Sequence, residues 1–169
     1  MYSLNVPVPG SVSALASDLA REIPQARART RENRTLVAKR LEDGDRTAFD
    51  RFAARVREEL RGAPAFAARV TGIDYFPEAV SGPSPVVYLA VDSPGLVDVH
   101  RMLASELDTV EDIEGNAYVP HVTIARGGSL DAARRLADRE IDPIEWNVSE
   151  LTFWDAQRCQ PAGTISLPA

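Results

Sequence analysis

Two spacings of apolar residues alternate along this chain, one typical of strands and one typical of helices. Short runs rich in Val, Ile, Thr and aromatic residues predict strands. Apolar residues three and four apart, as in 12–23 and 49–60, predict amphipathic helices, and Ser129 is the expected N-cap of a later helix. Strands are predicted within 2–10 and 86–95 and over 35–41, 70–76, 119–126, 148–154 and 164–167.

The two halves of the chain repeat the same order of elements. Residues 2–10 and 88–95 both run from Tyr through a short strand into Pro-Gly, and 70–76 and 148–154 both end in two aromatic residues. Duplicated strand–helix units bury their apolar faces against each other around one core. We therefore expect an α+β fold of two pseudo-symmetric lobes. Each lobe is a small, mostly antiparallel sheet with two helices, and an active cleft lies between the lobes.

Length and composition fit a single domain. Of 169 residues, 44% are apolar and 26% are charged, enough to bury a core without cross-links. We expect one domain, 1–169, with repeat halves of approximately 1–84 and 85–169. The longest apolar run, 86–91, is too short to cross a membrane. The first residues show no basic segment and no long apolar stretch, so a cytoplasmic protein is expected.

The net negative charge of the chain limits the kinds of molecule that it is expected to bind. The formal net charge is −6, and Lys39 is the only lysine among 19 basic residues. An acidic, arginine-rich composition is typical of a halophilic protein, which is the preferred interpretation. Codon bias in a GC-rich genome is the alternative. The negative balance argues against binding along a nucleic-acid backbone, which needs a basic stripe. Small nucleotides and RNA ends remain as partners.

Few residues of this chain can ligate a metal or form a disulfide. Cys159 is the only cysteine, and His100 and His121 are the only histidines. One cysteine allows no intrachain disulfide, and the set is too small for the usual structural zinc site. We expect neither a metal nor a cofactor. His100 lies beside the apolar stripe of a predicted helix, where a surface or helix-packing role is expected.

The sharpest motif is His121-Val122-Thr123, within the predicted strand 119–126. Side chains two apart on a strand share a face, so the imidazole and the hydroxyl both point into the predicted cleft. An imidazole transfers protons near neutral pH, and a hydroxyl can donate to a phosphoryl oxygen. The pair predicts catalytic chemistry on a phosphoester.

A His-x-Thr strand in the second half of a duplicated chain of this length resembles the 2H phosphoesterase superfamily. Within it, the chain is most similar to the 2′-5′ RNA ligase-like proteins, also called RNA 2′,3′-cyclic phosphodiesterases. The resemblance implies one His-x-Thr motif in each half, with one imidazole as general base and the other as general acid. The implied reaction opens a 2′,3′-cyclic phosphate to a 2′-phosphate without metal. In reverse it joins RNA ends through a 2′-5′ bond.

The first half departs from this pattern because it contains no histidine. Two registers of its second strand against the histidine strand are open. If Thr35 corresponds to Thr123, Asn33 stands where the resemblance requires histidine, and after a one-residue slip Arg34 stands there instead. A slip reverses every side chain on a strand, so only one register holds.

Residues of the first half are still candidates for phosphate binding. Asparagine and arginine do not exchange protons usefully at neutral pH, but they can hold a phosphate and stabilise developing charge. The run 27–40 is the densest basic cluster, interpreted either as phosphate capture at the cleft mouth or as a solvated face. The predicted phosphate-binding residues are Asn33, Arg34, Thr35, Lys39 and Arg126.

These residues support more than one function. The preferred interpretation is a hydrolase acting on RNA 3′ ends or small nucleotides with a cyclic phosphate, with His121 and Thr123 as catalytic residues. Such an enzyme works slowly with one histidine, or recruits another residue as its second acid or base. The alternative is a catalytically degenerate module that binds RNA ends or nucleotides. A monomer is expected.

Overall fold

The computed structural model describes residues 1–30, 34–41 and 44–168. Strands and helices alternate through both halves of the chain, as the apolar spacing predicts. In the described part the strands are β1 (Tyr2–Val6), β2 (Arg27–Ala28), β3 (Leu36–Leu41), β4 (Phe66–Phe76), β5 (Val86–Asp92), β6 (His121–Arg126), β7 (Ile144–Val148), β8 (Glu150–Asp155) and β9 (Gln160–Ser166). The helices are α1 (Gly10–Ala20), α2 (Arg46–Glu59), α3 (Pro94–Glu106) and α4 (Leu130–Ala137), with a 3₁₀ turn at Gly115–Ala117.

The helices are short, and three of them begin at a side-chain cap. Asp45, Ser93 and Ser129 each accept a hydrogen bond from the backbone N–H three residues further on. Such a cap stabilises a helix by about 1 kcal/mol. The Ser129 cap, at 3.1 Å from the N–H of Ala132, confirms the prediction. In the described ranges, no helix is both long and apolar enough to cross a membrane.

The strand pattern differs from the prediction in several details, and the first four residues of each of β4, β7 and β9 lie outside the predicted strands. The predicted strand 148–154 is interrupted at Ser149, since β7 ends just before this residue and β8 begins just after it. β7 pairs with β4 while β8 pairs with β1, so the chain changes partner there. The two-residue strand β2 is too short to leave an apolar pattern, and it forms only because β6 offers it a free edge.

All described strands join one sheet in the order β7-β4-β5-β6-β3-β1-β8-β9, with β2 pairing β6 off this path. The order is symmetric about the β6–β3 pair, where two four-stranded antiparallel lobes meet. β4 belongs to the first half of the sequence but pairs with β5 and β7, and β8 of the second half pairs with β1. The predicted two-lobed fold is therefore confirmed, and each lobe contains strands from both halves.

The helices cover one face of this sheet and tie the lobes together. α1 follows β1 but packs against β6, and α3 follows β5 but packs against β3. Leu36, Val122 and Ile124 of the seam strands are fully buried in the shared core. Burial of each such side chain contributes about 1.5–3 kcal/mol. The other face of the sheet is left open for a cleft.

Candidate active site at the seam of the sheet

The seam is where β3 and β6 pair, with Leu36 opposite Val122. Both side chains point into the core, so their neighbours along each strand point to the open face. Continuing the antiparallel pairing by one residue places Thr35 beside Thr123. His121, two residues before Thr123, lies on the same face. The structure thus brings three of the predicted residues together at the seam.

A β-bulge turns Arg126 onto the open face as well. In the pairing of β6 with β5, Ile124 is the extra residue. Ile124 and Ala125 are both buried, so the next side chain, Arg126, points to the side of His121. On an unbroken strand Arg126 would point into the core, because successive side chains alternate.

A second bulge, in β3, places the side chain of Arg40 on the open face of the sheet and that of Lys39 in the core. In the pairing of β3 with β1, Ala38 is the extra residue, and Ala38 and Lys39 are both buried. Arg40 therefore points to the open face, where an unbroken strand continuing from Thr35 would place Lys39. The expectation that Thr35 and Lys39 share the phosphate-binding wall is thus not met, for this geometric reason.

Lys39 instead forms a buried ion pair. Its Nζ donates to Glu114 Oε2 at 2.7 Å and to the backbone carbonyls of Asp108 at 2.7 Å and Arg40 at 2.8 Å. Both charged side chains are 0% exposed. Burial alone would raise the pKa of Glu114, but the hydrogen bonds from Lys39 and from backbone N–H groups hold it below its usual range. Lys39 therefore ties the 108–114 segment to β3.

Arg34 is directed away from the seam, towards α1. Its guanidinium donates to the backbone carbonyls of Ser13 at 2.6 Å and Arg29 at 2.7 Å, and the residue is 5% exposed. The slipped register, which would place Arg34 at the position facing His121, is therefore not that of this fold. Asn33, which the other register places there, lies outside the described residues.

A cavity of about 340 Å³ opens on the open face beside these residues. β3 and β6 contribute its floor, and two loops form its walls. One is the 77–85 loop, and the other is the segment that ends at Val119. The acidic side chains of Glu78 and Asp112 lie on exposed parts of these walls. The cavity's main chemical groups are Arg29, Arg40, Phe76, Tyr118, His121 and Arg126.

His121 is half-buried between two aromatic rings. Its imidazole centroid lies 5.3 Å from that of Phe76, with the rings at 84°, and 5.1 Å from that of Tyr88. Its Nδ1 is 2.8 Å from the backbone carbonyl oxygen of Val119. Because a carbonyl only accepts hydrogen bonds, Nδ1 carries the proton, and Nε2 of the neutral ring carries the lone pair.

The surroundings favour the neutral form of this imidazole. Burial lowers the pKa of His121, and the positive charges of Arg40 and Arg126 lower it further. The hydrogen bond to Val119 opposes these effects only in part. At neutral pH, His121 is therefore a base that can accept a proton at Nε2.

Three guanidinium groups line the same cavity: those of Arg29, Arg40 and Arg126. Arg126 Nη1 donates to the carbonyl of Ser81 at 2.7 Å, and its buried Nε meets no hydrogen-bond partner among the described residues. Burial lowers the pKa of Arg126, and repulsion from Arg29 and Arg40 lowers it further. An anion in the cavity would relieve this repulsion, so the charges suit a phosphate.

The wall that ends at Val119 is held by a second histidine, and that histidine is structural. His100 is fully buried, and its Nδ1 donates to the carbonyl of Ala38 at 2.8 Å while Nε2 accepts from the N–H of Gly115 at 2.9 Å. The ring of Tyr118 stacks on it at 3.7 Å between centroids. This confirms the expected helix-packing role, and the cavity has no second imidazole.

Sequence reasoning missed Arg40 and Phe76 as parts of the site. Arg40 lies within the basic run 27–40, but only the bulge in β3 brings its side chain to the cavity. Phe76 is the second of the two aromatic residues that end β4. In the structure it packs against His121 and lines the cavity.

The groups at this seam suit one class of chemistry, namely proton transfer beside an anion. Among the described residues, no three His, Cys, Asp or Glu side chains form a group that could hold a metal ion. One neutral imidazole, two threonines and three guanidinium groups at the seam of a duplicated sheet are typical of a phosphoesterase.

Sequence comparison agrees with this class. The family model described as the 2′-5′ RNA ligase superfamily matches residues 35–159. The chain belongs to this superfamily. A comparison with curated proteins found no significant match.

Solved structures of two bacterial proteins share the fold over nearly their whole length. TT0787 of Thermus thermophilus is 17% identical, with 98% of this chain and 97% of that chain covered and a TM-score of 0.68. E. coli LigT complexed with 3′-AMP is 19% identical, with 99% and 98% covered and a TM-score of 0.67. LigT complexed with NADP⁺ is 17% identical, with 99% and 97% covered and a TM-score of 0.69. At these identities the likeness is one of fold.

Proposed function

We propose that the protein is a phosphodiesterase that opens 2′,3′-cyclic phosphates of RNA 3′ ends or nucleotides to 2′-phosphates. The observation that carries the proposal is the unprotonated Nε2 of His121 in a cavity lined by Arg40 and Arg126. LigT has been crystallised with 3′-AMP, ATP, NADP⁺ and phosphate. Nucleotide phosphates of this kind match the charge of the present cavity.

In the proposed reaction, Nε2 of His121 takes a proton from water while the water oxygen bonds to phosphorus. The bond between phosphorus and the ribose 3′ oxygen breaks, and this oxygen leaves with the electron pair and takes a proton from solvent. Arg40 and Arg126 donate to the phosphoryl oxygens, whose negative charge grows in the transition state. The hydroxyls of Thr123 and Thr35 donate to the same phosphate.

A second candidate function is binding of the same ligands without turnover. It is favoured by the burial of His100, whose two ring nitrogens are committed to Ala38 and Gly115. The leaving oxygen therefore finds no imidazolium in the cleft. Absence of a general acid costs about 10²–10⁴-fold in rate.

One assay separates these two functions. The four nucleoside 2′,3′-cyclic monophosphates are incubated with the protein in molar salt and a chelator, and the products are separated by chromatography. We expect conversion to the 2′-monophosphate above the rate of a protein-free control. Nucleotide binding by calorimetry with no product after prolonged incubation would leave the binding module as the function.

The rate should depend on pH through a single ionisation. Since neutral His121 is the active form, kcat/KM should rise with pH through a pKa below about 6.5 and then stay level. A site with two catalytic histidines would instead give a bell-shaped profile. In Arg40→Gln, loss of a positive charge raises the pKa of His121, so the rise should move to higher pH.

The control for this profile is Arg51→Gln, which removes an exposed arginine on α2, on the far face of the sheet. Its profile should coincide with that of the unaltered protein. A bell-shaped profile, or a rise that moves to lower pH in Arg40→Gln, would contradict the assignment of the base.

A further inference from the structure

A second groove lies next to the main cavity and shares two of its arginines. It has a volume of about 240 Å³ and is lined by residues of the 27–30 segment, by Pro83 and by Arg126. Arg29 and Arg126 line both spaces, so the groove continues the cavity away from Arg40. Arg27 lines only the groove.

The arginines of this groove are held close together although they repel each other. β2 pairs with β6 so that Arg27 lies directly opposite Arg126, a cross-strand position where like charges destabilise a sheet. Arg29 adds to the repulsion on Arg126. Within the described ranges, none of the three has a carboxylate oxygen within 4.0 Å.

The backbone of the segment that carries Arg27 and Arg29 is held by hydrogen bonds to β6 and to Arg34. The N–H of Arg29 donates to the carbonyl of Ile124 at 3.2 Å. Its own carbonyl accepts from Arg34 Nη2 at 2.7 Å, and Arg34 Nη1 donates to Ser17 Oγ at 2.9 Å. Arg34 therefore positions the groove although it does not touch the cavity. Because these contacts fix the backbone that carries Arg27 and Arg29, the two side chains start from defined positions next to Arg126, which favours binding of an anion.

We propose that the groove is a subsite for a second phosphate of the substrate, covalently attached to the nucleoside whose cyclic phosphate lies at His121. The reacting phosphate carries one negative charge, which Arg40 and Arg126 can match. Arg27 and Arg29 lie beyond it and provide charge for a further phosphate. The preferred substrate class is then an oligonucleotide end or a 5′-phosphorylated nucleotide, and this inference rests on the proposed function.

The test compares three ligands: a nucleoside 2′,3′-cyclic monophosphate, its 5′-phosphorylated form, and a dinucleotide ending in the same cyclic phosphate. We expect kcat/KM to be at least about tenfold higher for ligands with the second phosphate, the size of one charged hydrogen bond. In Arg27→Gln this preference should fall to about one to threefold. Arg51→Gln is the matched control and should keep the full preference.

Which of the two phosphorylated ligands gains more identifies the source of the second phosphate. A gain for the dinucleotide alone assigns the groove to an internucleotide phosphate, and an equal gain assigns it to any attached phosphate. Equal kcat/KM for all three ligands, or an unchanged preference in Arg27→Gln, would overturn the subsite.

A binding experiment keeps the subsite separate from the chemistry. Affinities of His121→Ala for a nucleoside 2′-monophosphate and for its 5′-phosphorylated form are measured by calorimetry in low salt. If the unaltered protein turns over no ligand but the second phosphate still tightens binding through Arg27, the phosphodiesterase proposal fails and the subsite stands. If turnover occurs without this gain in affinity, the subsite fails and the phosphodiesterase stands.

Discussion

Replacement of His121 by alanine is expected to lower the turnover of a nucleoside 2′,3′-cyclic phosphate by about 10²–10⁴-fold. The substitution removes the imidazole whose Nε2 accepts the proton of the attacking water. Hydroxyl and guanidinium groups near the phosphate cannot replace it, because they are not bases at neutral pH. The carboxylates of Glu78 and Asp112 lie on the cavity walls and not at the seam. The measurement is initial rate against substrate concentration, with the product identified by chromatography.

The same variant should still bind the product. Arg40 and Arg126 remain in place, so the Kd of a nucleoside 2′-monophosphate is expected to change by less than about fivefold, since the interactions with the charged phosphate are retained. The control is Thr123→Ser, which keeps the hydroxyl and should retain most of the activity. Turnover by His121→Ala within about threefold of the unaltered protein would disprove the catalytic role, because loss of a general base costs far more. An equal loss of binding and turnover would make His121 a binding group only.

Replacement of Glu114 by alanine is expected to lower the free energy of unfolding by about 3–5 kcal/mol. Lys39 and Glu114 are both fully buried, so the variant leaves an ammonium group without its counter-charge in a dry environment. Glu114 also accepts hydrogen bonds from the backbone N–H groups of Arg40 at 2.7 Å and Val110 at 3.0 Å. Those donors lose their partner as well. Equilibrium unfolding in guanidinium chloride measures the change.

Two further variants test whether burial is the cause. Asp50→Ala breaks an exposed ion pair, in which Arg46 Nε lies 3.1 Å from Asp50 Oδ1. This variant should lower the free energy of unfolding by less than about 1 kcal/mol. The double variant Lys39→Met with Glu114→Gln removes both buried charges. Its free energy of unfolding should therefore be higher than that of Glu114→Ala, which leaves the Lys39 ammonium unpaired. Loss of less than about 1 kcal/mol in Glu114→Ala, the range of an exposed pair, would show that the buried pair is not a stabilising element of the fold.

This ion pair also matters for the site. Glu114 holds the backbone of Arg40 and, at 4.0 Å, approaches its guanidinium. Together with the stacked rings of His100 and Tyr118, it fixes one wall of the cavity against β3. Lys39 and Arg34 were predicted to bind phosphate. In the structure they instead hold in place the segments whose side chains line the cavity.

The periodic parts of the fold could be predicted from the sequence. Helical stripes and alternating strands are local features, since a residue's neighbours at three, four or two positions away decide which face is apolar. This reasoning could not predict that β4 of the first half pairs with β5 and β7, or that β8 of the second half pairs with β1. Strand order depends on which edges meet after the chain collapses, and the sequence of a strand does not encode its partner.

The sequence by itself determined the duplicated order of elements, the His121-x-Thr123 strand and the absence of any histidine from the first half. These follow from residue identity and from periods that every strand and helix obeys. Only the tertiary structure decided which charges reach the cavity. One bulge in β3 buries Lys39 and presents Arg40, and another in β6 presents Arg126. A bulge is set by pairing with a neighbouring strand and by packing of the core, and it reverses the face of every residue that follows.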